Sequence, residues 1–227
     1  MTIQINTLYR CDTDGRLRSI NEPGDPCAPR FFLGRTCEGN LWRFRHDLPS
    51  DTVVRVEQLC QAEPIAADLT RPPQHEAAIK AILNAQATIH EEYRGPAYWI
   101  PAEIQPSEQA VLIDDANVAI LQPHFAWMAT STPYHQIGPV AAVVERGQAV
   151  AICFCSRIPG QATEAGVETV AAYRGRGYAT TAVATWAAAV HRLGRQPLYS
   201  TEWTNLASQA IARKLGMVFY GEDWSLS

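Results

Sequence analysis

The segment that most constrains this chain runs from Glu164 to Arg192. A stretch with strand patterning ends near Ala171, glycines follow at Gly175 and Gly177, and an alanine-rich run extends from about Tyr178 to Arg192 before Gly194. Glycine supplies the backbone freedom that a sharp strand-to-helix turn needs, and the apolar run then reads as a buried helix. A helix that starts there turns the amides of Gly175 to Thr180 outward, where its dipole favours an anion. Arg174 and Arg176 add charge at the same mouth, in a form suited to phosphate. A side chain at Gly177 would crowd a phosphate held this way. The same residues also fit a plain strand-to-helix turn with two solvated arginines, so the loop alone leaves both readings open.

Spacing disfavours other phosphate loops. A Walker loop needs G-x-x-x-x-G-K-[ST], and no lysine follows here. A dinucleotide fingerprint needs a third glycine where this chain has Thr180, although Glu202 could supply its acidic partner, so it stays a minor rival.

The rest of the chain sets this segment in an α+β frame. Val140 to Glu145 and Ala149 to Ser156 read as a hairpin across Arg146-Gly147, and the next strand covers about Glu164 to Ala171. Leu198 to Glu202 is another strand. Asn205 then caps a helix with Ala207, Ala210, Ile211 and Leu215 on its apolar face, ended by Gly216. Met217 to Tyr220 is the final strand. Upstream, residues 1–60 read as β-rich, with Leu8–Arg10 and Leu17–Ile20 around an Asp12–Gly15 turn and Phe31–Leu33 and Leu41–Arg45 around Glu38–Asn40. Asp51 to Cys60 fits a strand or a short helix.

Ala62 to Pro73 reads as a linker. A helix follows over Pro73 to Tyr93, its face carrying Ile79, Ile82, Leu83, Gln86, His90 and Tyr93, with Gly95-Pro96 as its stop. Tyr98 to Ile100 is a short strand, and Ala116 to Leu121 a short helix ended by Pro123. The aromatic segment His124 to Met128 comes next, and Phe125, Trp127 and Tyr134 are expected to seal the core, with acceptor binding as the alternative. The expected fold is a mixed, mostly antiparallel sheet with helices on both faces over 72–227, plus the separate β-rich region 1–60.

Two blocks give the chain a family resemblance. Arg174-Gly175-Arg176-Gly177-Tyr178-Ala179 matches the pattern [QR]-x-x-G-x-[GA], with Thr169 and Ala171 at the Val and Pro positions of the preceding V-x-P-x-Y. About thirty residues later, Asn205, Ser208, Ile211 and Arg213-Lys214-Leu215-Gly216-Met217 are similar to N-x-x-[SA]-x-x-L-Y-x-K-L-G-F. Over about 137–222 the chain resembles the GNAT acyltransferase superfamily, including its order of elements. The resemblance implies acetyl-CoA as co-substrate, with its pyrophosphate on Arg174, Gly175, Arg176, Gly177, Tyr178, Ala179 and Thr180. Its pantetheine arm would pair with the main chain of Thr169, Val170 and Ala171, and Asn205 and Ser208 would contact the pantetheine or phosphate region.

It also implies direct acetyl transfer to a primary amine of a small molecule or peptide, with a carboxylate on the central strand as base. Glu164 is the first choice, Glu168 the second, and a structural or solvated carboxylate is the alternative for both. The family's usual acid for the departing thiolate is a Tyr whose position here is Ala212. Tyr173, Tyr199 and Tyr220 are substitutes, each also readable as an ordinary packed or surface residue. The missing Tyr leaves open a non-catalytic acyl-CoA-binding sensor or scaffold.

Charge and composition bear on the partners. The net charge is −4 with no polybasic run, which argues against nucleic acid or a membrane surface. The acidic excess lies in 61–162, with 10 acidic against 5 basic residues, so an anion site must be local. None of the six cysteines forms C-x-x-C, and Cys153 and Cys155 share one face of a strand, as buried thiols or as a metal or redox pair. No H-E-x-x-H occurs, and no metal is expected. His124 and His135 are candidates to line an acceptor pocket. His75, His90 and His191 read as helix-face residues, and His46 has no partner visible in sequence. The N-terminus lacks a signal pattern and Ala182 to Val190 is too short to span a bilayer, so a cytoplasmic protein is expected, with a homodimer allowed.

Overall fold

The computed structural model describes residues 1–130 and 137–227. Tyr134 and His135 therefore lie outside the described residues. The chain divides into two compact units, Met1–Tyr98 with Ser200–Leu206 and Phe219–Ser227, and Trp99–Tyr199 with Ala207–Val218. These bounds differ from 1–60 and 72–227, because a strand near the C-terminus joins the first unit.

In the first unit the strand order is β4 (Asn40–Phe44), β3 (Phe31–Arg35), β11 (Val218–Leu226) and β5 (Glu92–Trp99). β3 is antiparallel to both neighbours, with Phe31 opposite Phe44 and Leu226. Phe31, Trp224 and Leu33 are fully buried, with Val53 and Val56 of α2 (Ser50–Ala62) and Ile79 and Leu83 of α3 (Glu76–Gln86) in the same core. β1 (Tyr9–Cys11) and β2 (Leu17–Ile20) form the expected hairpin.

Three expectations for this unit are corrected, and one of two readings left open, the helix over Asp51 to Cys60, is the one found. Thr2–Leu8 is a helix, α1, which buries Ile5 and Leu8 against Leu17, Ala28 and Phe32. The helix expected over Pro73 to Tyr93 ends at Gln86, so His90 and Tyr93 are not on it. Gly95 and Pro96 sit inside β5 instead of stopping a helix. Gly95 is required there by close approach, since a Cβ on it would lie 1.7 Å from the carbonyl oxygen of Thr201.

An ionic cluster is buried in this unit. The Arg35 Nε donates to Glu222 at 2.8 Å, and its Nη2 donates to the carbonyls of Leu69 and Arg71. Trp203 Nε1 also donates to Glu222, at 2.6 Å. Burial raises the Glu222 carboxyl above its ordinary value, with Trp203 and Arg35 opposing the rise.

In the second unit the order is β10 (Gln196–Ser200), β9 (Ala162–Thr169), β8 (Gln148–Cys155), β7 (Ala141–Glu145) and β6 (Ala110–Leu112). β9 and β10 are parallel and the other pairs antiparallel. α5 (Tyr178–Arg192) covers one face and buries Trp186, Val183 and Val190. On the other face α4 (Gln122–Thr130), broken at Phe125, packs Phe125 and Met128 against Ala142 and Ile152. Pro123 begins this helix instead of ending one, which suits its fixed φ and missing amide hydrogen. Phe125 is sealed in the core as expected, whereas Trp127 is 44% exposed and packs edge-on against Phe154 at 5.2 Å. α6 (Leu206–Lys214) follows Asn205. No helix among the described residues is long and apolar enough to cross a membrane.

Candidate active site

The site begins where two parallel strands stop pairing. β10 accompanies β9 only from Gln196 opposite Ala162 to Leu198 opposite Glu164. On its other side β9 stays paired with β8 as far as Thr169 opposite Ala151. β10 meanwhile remains tied on its far side, with the Ile100 amide donating to Pro197 at 3.0 Å. Ala165 to Thr169 of β9 thus face a fork. Because the Ser156 amide donates to the Glu164 carbonyl at 2.9 Å, even-numbered residues bond toward β8. The main-chain groups of Ala165, Val167 and Thr169 then point into the fork.

The strand gives way to the expected loop. A short 3-10 turn covers Ala171–Tyr173, closed by the carbonyls of Val170 and Ala171. Arg174 Nε donates back to the Thr169 carbonyl at 3.3 Å, and the Arg176 guanidinium stacks 5.1 Å from the Tyr173 ring. Gly175 and Gly177 both have left-handed backbones, φ 77° and 84°, and Gly177 is the N-cap of α5. A Cβ at either would meet nothing within 4 Å, so the protein side of this turn is open. No carbonyl among the described residues takes the amide hydrogens of Gly175 through Thr180. Tyr178 donates to the Glu145 carboxylate, which pushes the phenol above its usual range and ties the loop to the end of β7.

The two candidate bases share a face of β9 but not an environment. Glu164 is 4% exposed and is the last β9 residue paired with β10. Glu168 is exposed, opposite Ile152. Between them lies Gly166, whose vacant side-chain space is filled by the Phe154 ring. The substitutes for the missing phenol differ too. Tyr173 underlies Arg176, and Tyr220 donates to Gln4 in the first unit. Tyr199 is the first residue of β10 past the fork, and its hydroxyl is 2.6 Å from Ser208 Oγ on α6. Ala212, one turn later on that helix, is 1% exposed. Asn205 stands immediately before α6, in the first unit.

The remaining sequence candidates have structural settings. His124 is exposed and lies against Phe125. His191 bonds the carbonyls of Ile100 and Pro101, and His75 bonds Glu63. Cys153 and Cys155 are buried free thiols whose pKa values burial raises. No group of three His, Cys, Asp or Glu side chains converges among the described residues.

The fit to acetyl-CoA can be tested on the fork itself. The Thr169 hydroxyl is buried there without a hydrogen-bond partner among the described residues, an arrangement that costs free energy until a polar group arrives. With an open strand edge and outward helix amides beside it, the fork suits an extended amide-containing arm that ends in phosphate.

A sequence model of the GNAT acetyltransferase family matches residues 127–222. The structure is similar to a GCN5-related N-acetyltransferase-like protein from Streptococcus suis, 15% identical with a TM-score of 0.50, covering 88% of this chain and 85% of that one. It is also similar to a Drosophila protein, 12% identical with a TM-score of 0.50, over 86% of this chain and 72% of that one. A protein of the GNAT family from Novosphingobium aromaticivorans is 18% identical with a TM-score of 0.48, over 61% of this chain, which spans 65% of that protein's length. No curated protein matches the chain. The chain thus resembles the GNAT superfamily and has its mixed, mostly antiparallel fold. The family match supports acetyltransferase activity in general terms.

Proposed function

We propose that this protein transfers the acetyl group of acetyl-CoA to a primary amine of a small molecule or peptide, by direct attack while both are bound. The observation that carries the reading is the fork: an open edge of β9 that leads from Glu164 to a glycine loop and a helix N-terminus. Amides of Gly175, Arg176, Gly177, Tyr178, Ala179 and Thr180 would hold the pyrophosphate, with Arg174 and Arg176 neutralising it. The main chain from Ala165 to Thr169, running on into Val170 and Ala171, would hold the pantetheine arm as an added strand. Ser208 on α6 would contact it as well.

When bound, acetyl-CoA supplies an activated carbonyl and a thiolate leaving group. Glu164 takes a proton from the attacking amine at the mouth of the fork, and its burial keeps water from competing. Glu168, exposed and four residues on, is the second choice for that role. Thiol release is the test, using polyamines, amino acids, aminoglycosides and N-terminal peptides as acceptors, with acetyl-CoA binding measured alongside by calorimetry. Release with one acceptor class supports transfer and names the amine. Binding without release across the panel makes the protein a non-catalytic acyl-CoA-binding module.

A further inference from the structure

We infer that the acceptor is a linear aliphatic diamine or polyamine; this rests on the acetyl-transfer reading. Its reacting nitrogen sits at Glu164, its methylene chain runs along the Phe154 and Trp127 rings, and its far ammonium pairs with Glu168. Register sets these groups in a row. β9 pairs with β8 without a shift from Ala165 to Thr169, and the Ser156–Glu164 bond continues that pairing, so Glu164, Gly166 and Glu168 share one face. It is the face that α4 covers, since Phe154, opposite Gly166, packs against the cluster that holds Phe125 and Met128.

Each position offers something different. Glu164 is buried at the paired end of the row. Glu168 stands exposed at the other end, its carboxylate in no hydrogen bond or ion pair among the described residues. Between them Gly166 leaves its side-chain space to the Phe154 ring, whose nearest atom lies 2.5 Å from where a Cβ would stand. Trp127 meets that ring edge-on at 5.2 Å and keeps 44% of its surface exposed. The result is an aromatic floor with a carboxylate at each end.

Such a row fits methylenes on the rings and a nitrogen cation at its exposed end. At about 3.3 Å per residue, the Cα atoms of Glu164 and Glu168 are about 13 Å apart. A hydrogen bond of about 2.9 Å at each end leaves roughly 7 Å between the two nitrogens, a span that extended cadaverine covers. An α-amino acid would turn its own carboxylate toward Glu168, and an aminoglycoside would press hydroxyl groups onto rings that leave them poorly bonded. Only the nitrogen at Glu164 reacts. As a neutral amine it bonds the acetyl carbon and passes a proton to Glu164, which returns it to solvent. The carbon–sulfur electron pair goes to sulfur, and the thiolate takes a proton from solvent. The far ammonium keeps its own.

Thiol release with cadaverine and pentylamine tests the row, because the two differ only in the far ammonium. Wild-type kcat/KM should favour cadaverine by about three- to fivefold, the upper range for an exposed ion pair, and the preference should fade as salt is added. Glu168→Gln should bring the ratio to about one, and Glu168→Lys should invert it. Trp127→Ala should raise KM for both amines, about fourfold for each methylene uncovered, and Trp127→Phe should restore most of the loss. The inference is overturned if wild type uses pentylamine as well as cadaverine. It is also overturned if Glu168→Gln lowers both amines alike and keeps their ratio, as loss of a base would. A wild-type protein that releases no thiol with any amine overturns the transfer reading and this inference with it. Release with amino acids or peptides but not with cadaverine overturns this inference alone.

Discussion

Replacing Gly177 separates two effects that usually arrive together. Its φ of 84° lies in the left-handed region, yet a Cβ built there meets nothing within 4 Å. The folded protein therefore resists a side chain only through its backbone, at about 1–2 kcal/mol for Ala and more for a β-branched residue. For a chain of this size Gly177→Ala should lower the melting temperature by about 2–8 °C. Gly160→Ala is the control: its added Cβ also meets open space but its φ is ordinary, so the shift should stay within about 2 °C. Strain of this kind does not weaken binding by molecules that remain folded. The open space before Gly177 is where a pyrophosphate would approach the amides, and Gly177→Val fills it. Acetyl-CoA affinity should then fall at least about tenfold, or ~1.4 kcal/mol. Scanning and titration calorimetry on the same samples read both quantities. A Gly177→Val protein with a lowered melting temperature and wild-type affinity would refute the placement of the anion at this loop.

Glu164→Gln should leave acetyl-CoA affinity intact while turnover falls by about 10²–10⁴ near neutral pH, the loss shrinking as pH rises and more free amine arrives deprotonated. If Glu168→Gln is the inactive variant instead, the exposed carboxylate is the base. Arg35→Met would remove the guanidinium bonded to buried Glu222, leaving that carboxylate only Trp203 and Arg94, and should cost about 3–5 kcal/mol, a melting shift of roughly 6–20 °C. Burial pushes the Cys60 thiol up to about 12 from 9.0, so the stability tied to it is complete below pH 9 and drains away as pH rises toward 12. Cys60→Ala should flatten that part of a melting-temperature profile. In native protein a thiol reagent should modify Cys27 and Cys37 readily, Cys11 more slowly because partial burial raises its pKa, and Cys60, Cys153 and Cys155 only after unfolding.

What sequence could reveal depended on whether local pattern and tertiary demand agreed. The helix Tyr178–Arg192, its glycine-led start and the hairpin before it were all legible, because apolar period, turn chemistry and packing point the same way. α1 was not, since Thr2–Leu8 carries β-branched residues and becomes helical through burial of Ile5 and Leu8. β5 was hidden by Gly95-Pro96, a stop signal that the strand absorbs because Thr201 passes too close for any side chain. In the candidate site, the backbone of the loop was legible, since both glycines take left-handed conformations before the helix. The fork was not legible, because where two strands part is a matter of register that no single segment records. The difference between Glu164 and Glu168 was likewise invisible, since both fall on one face and only packing buries the first. The Tyr199–Ser208 contact joins a strand to a helix and leaves no spacing signal.

The pairing of β3 with β11 has a consequence for how the protein is made. Arg35 faces Glu222 across 187 residues of chain, so β3 gains β4 as a neighbour early and its other neighbour only after residues 218–226 have left the ribosome. During synthesis that edge, with Phe31 and Leu33 beside it, stays uncovered until residues 218–226 are made. The nascent chain is thus exposed to aggregation along β3 until β11 covers it. A nonsense mutation before Val218 would leave the first unit permanently short of a strand.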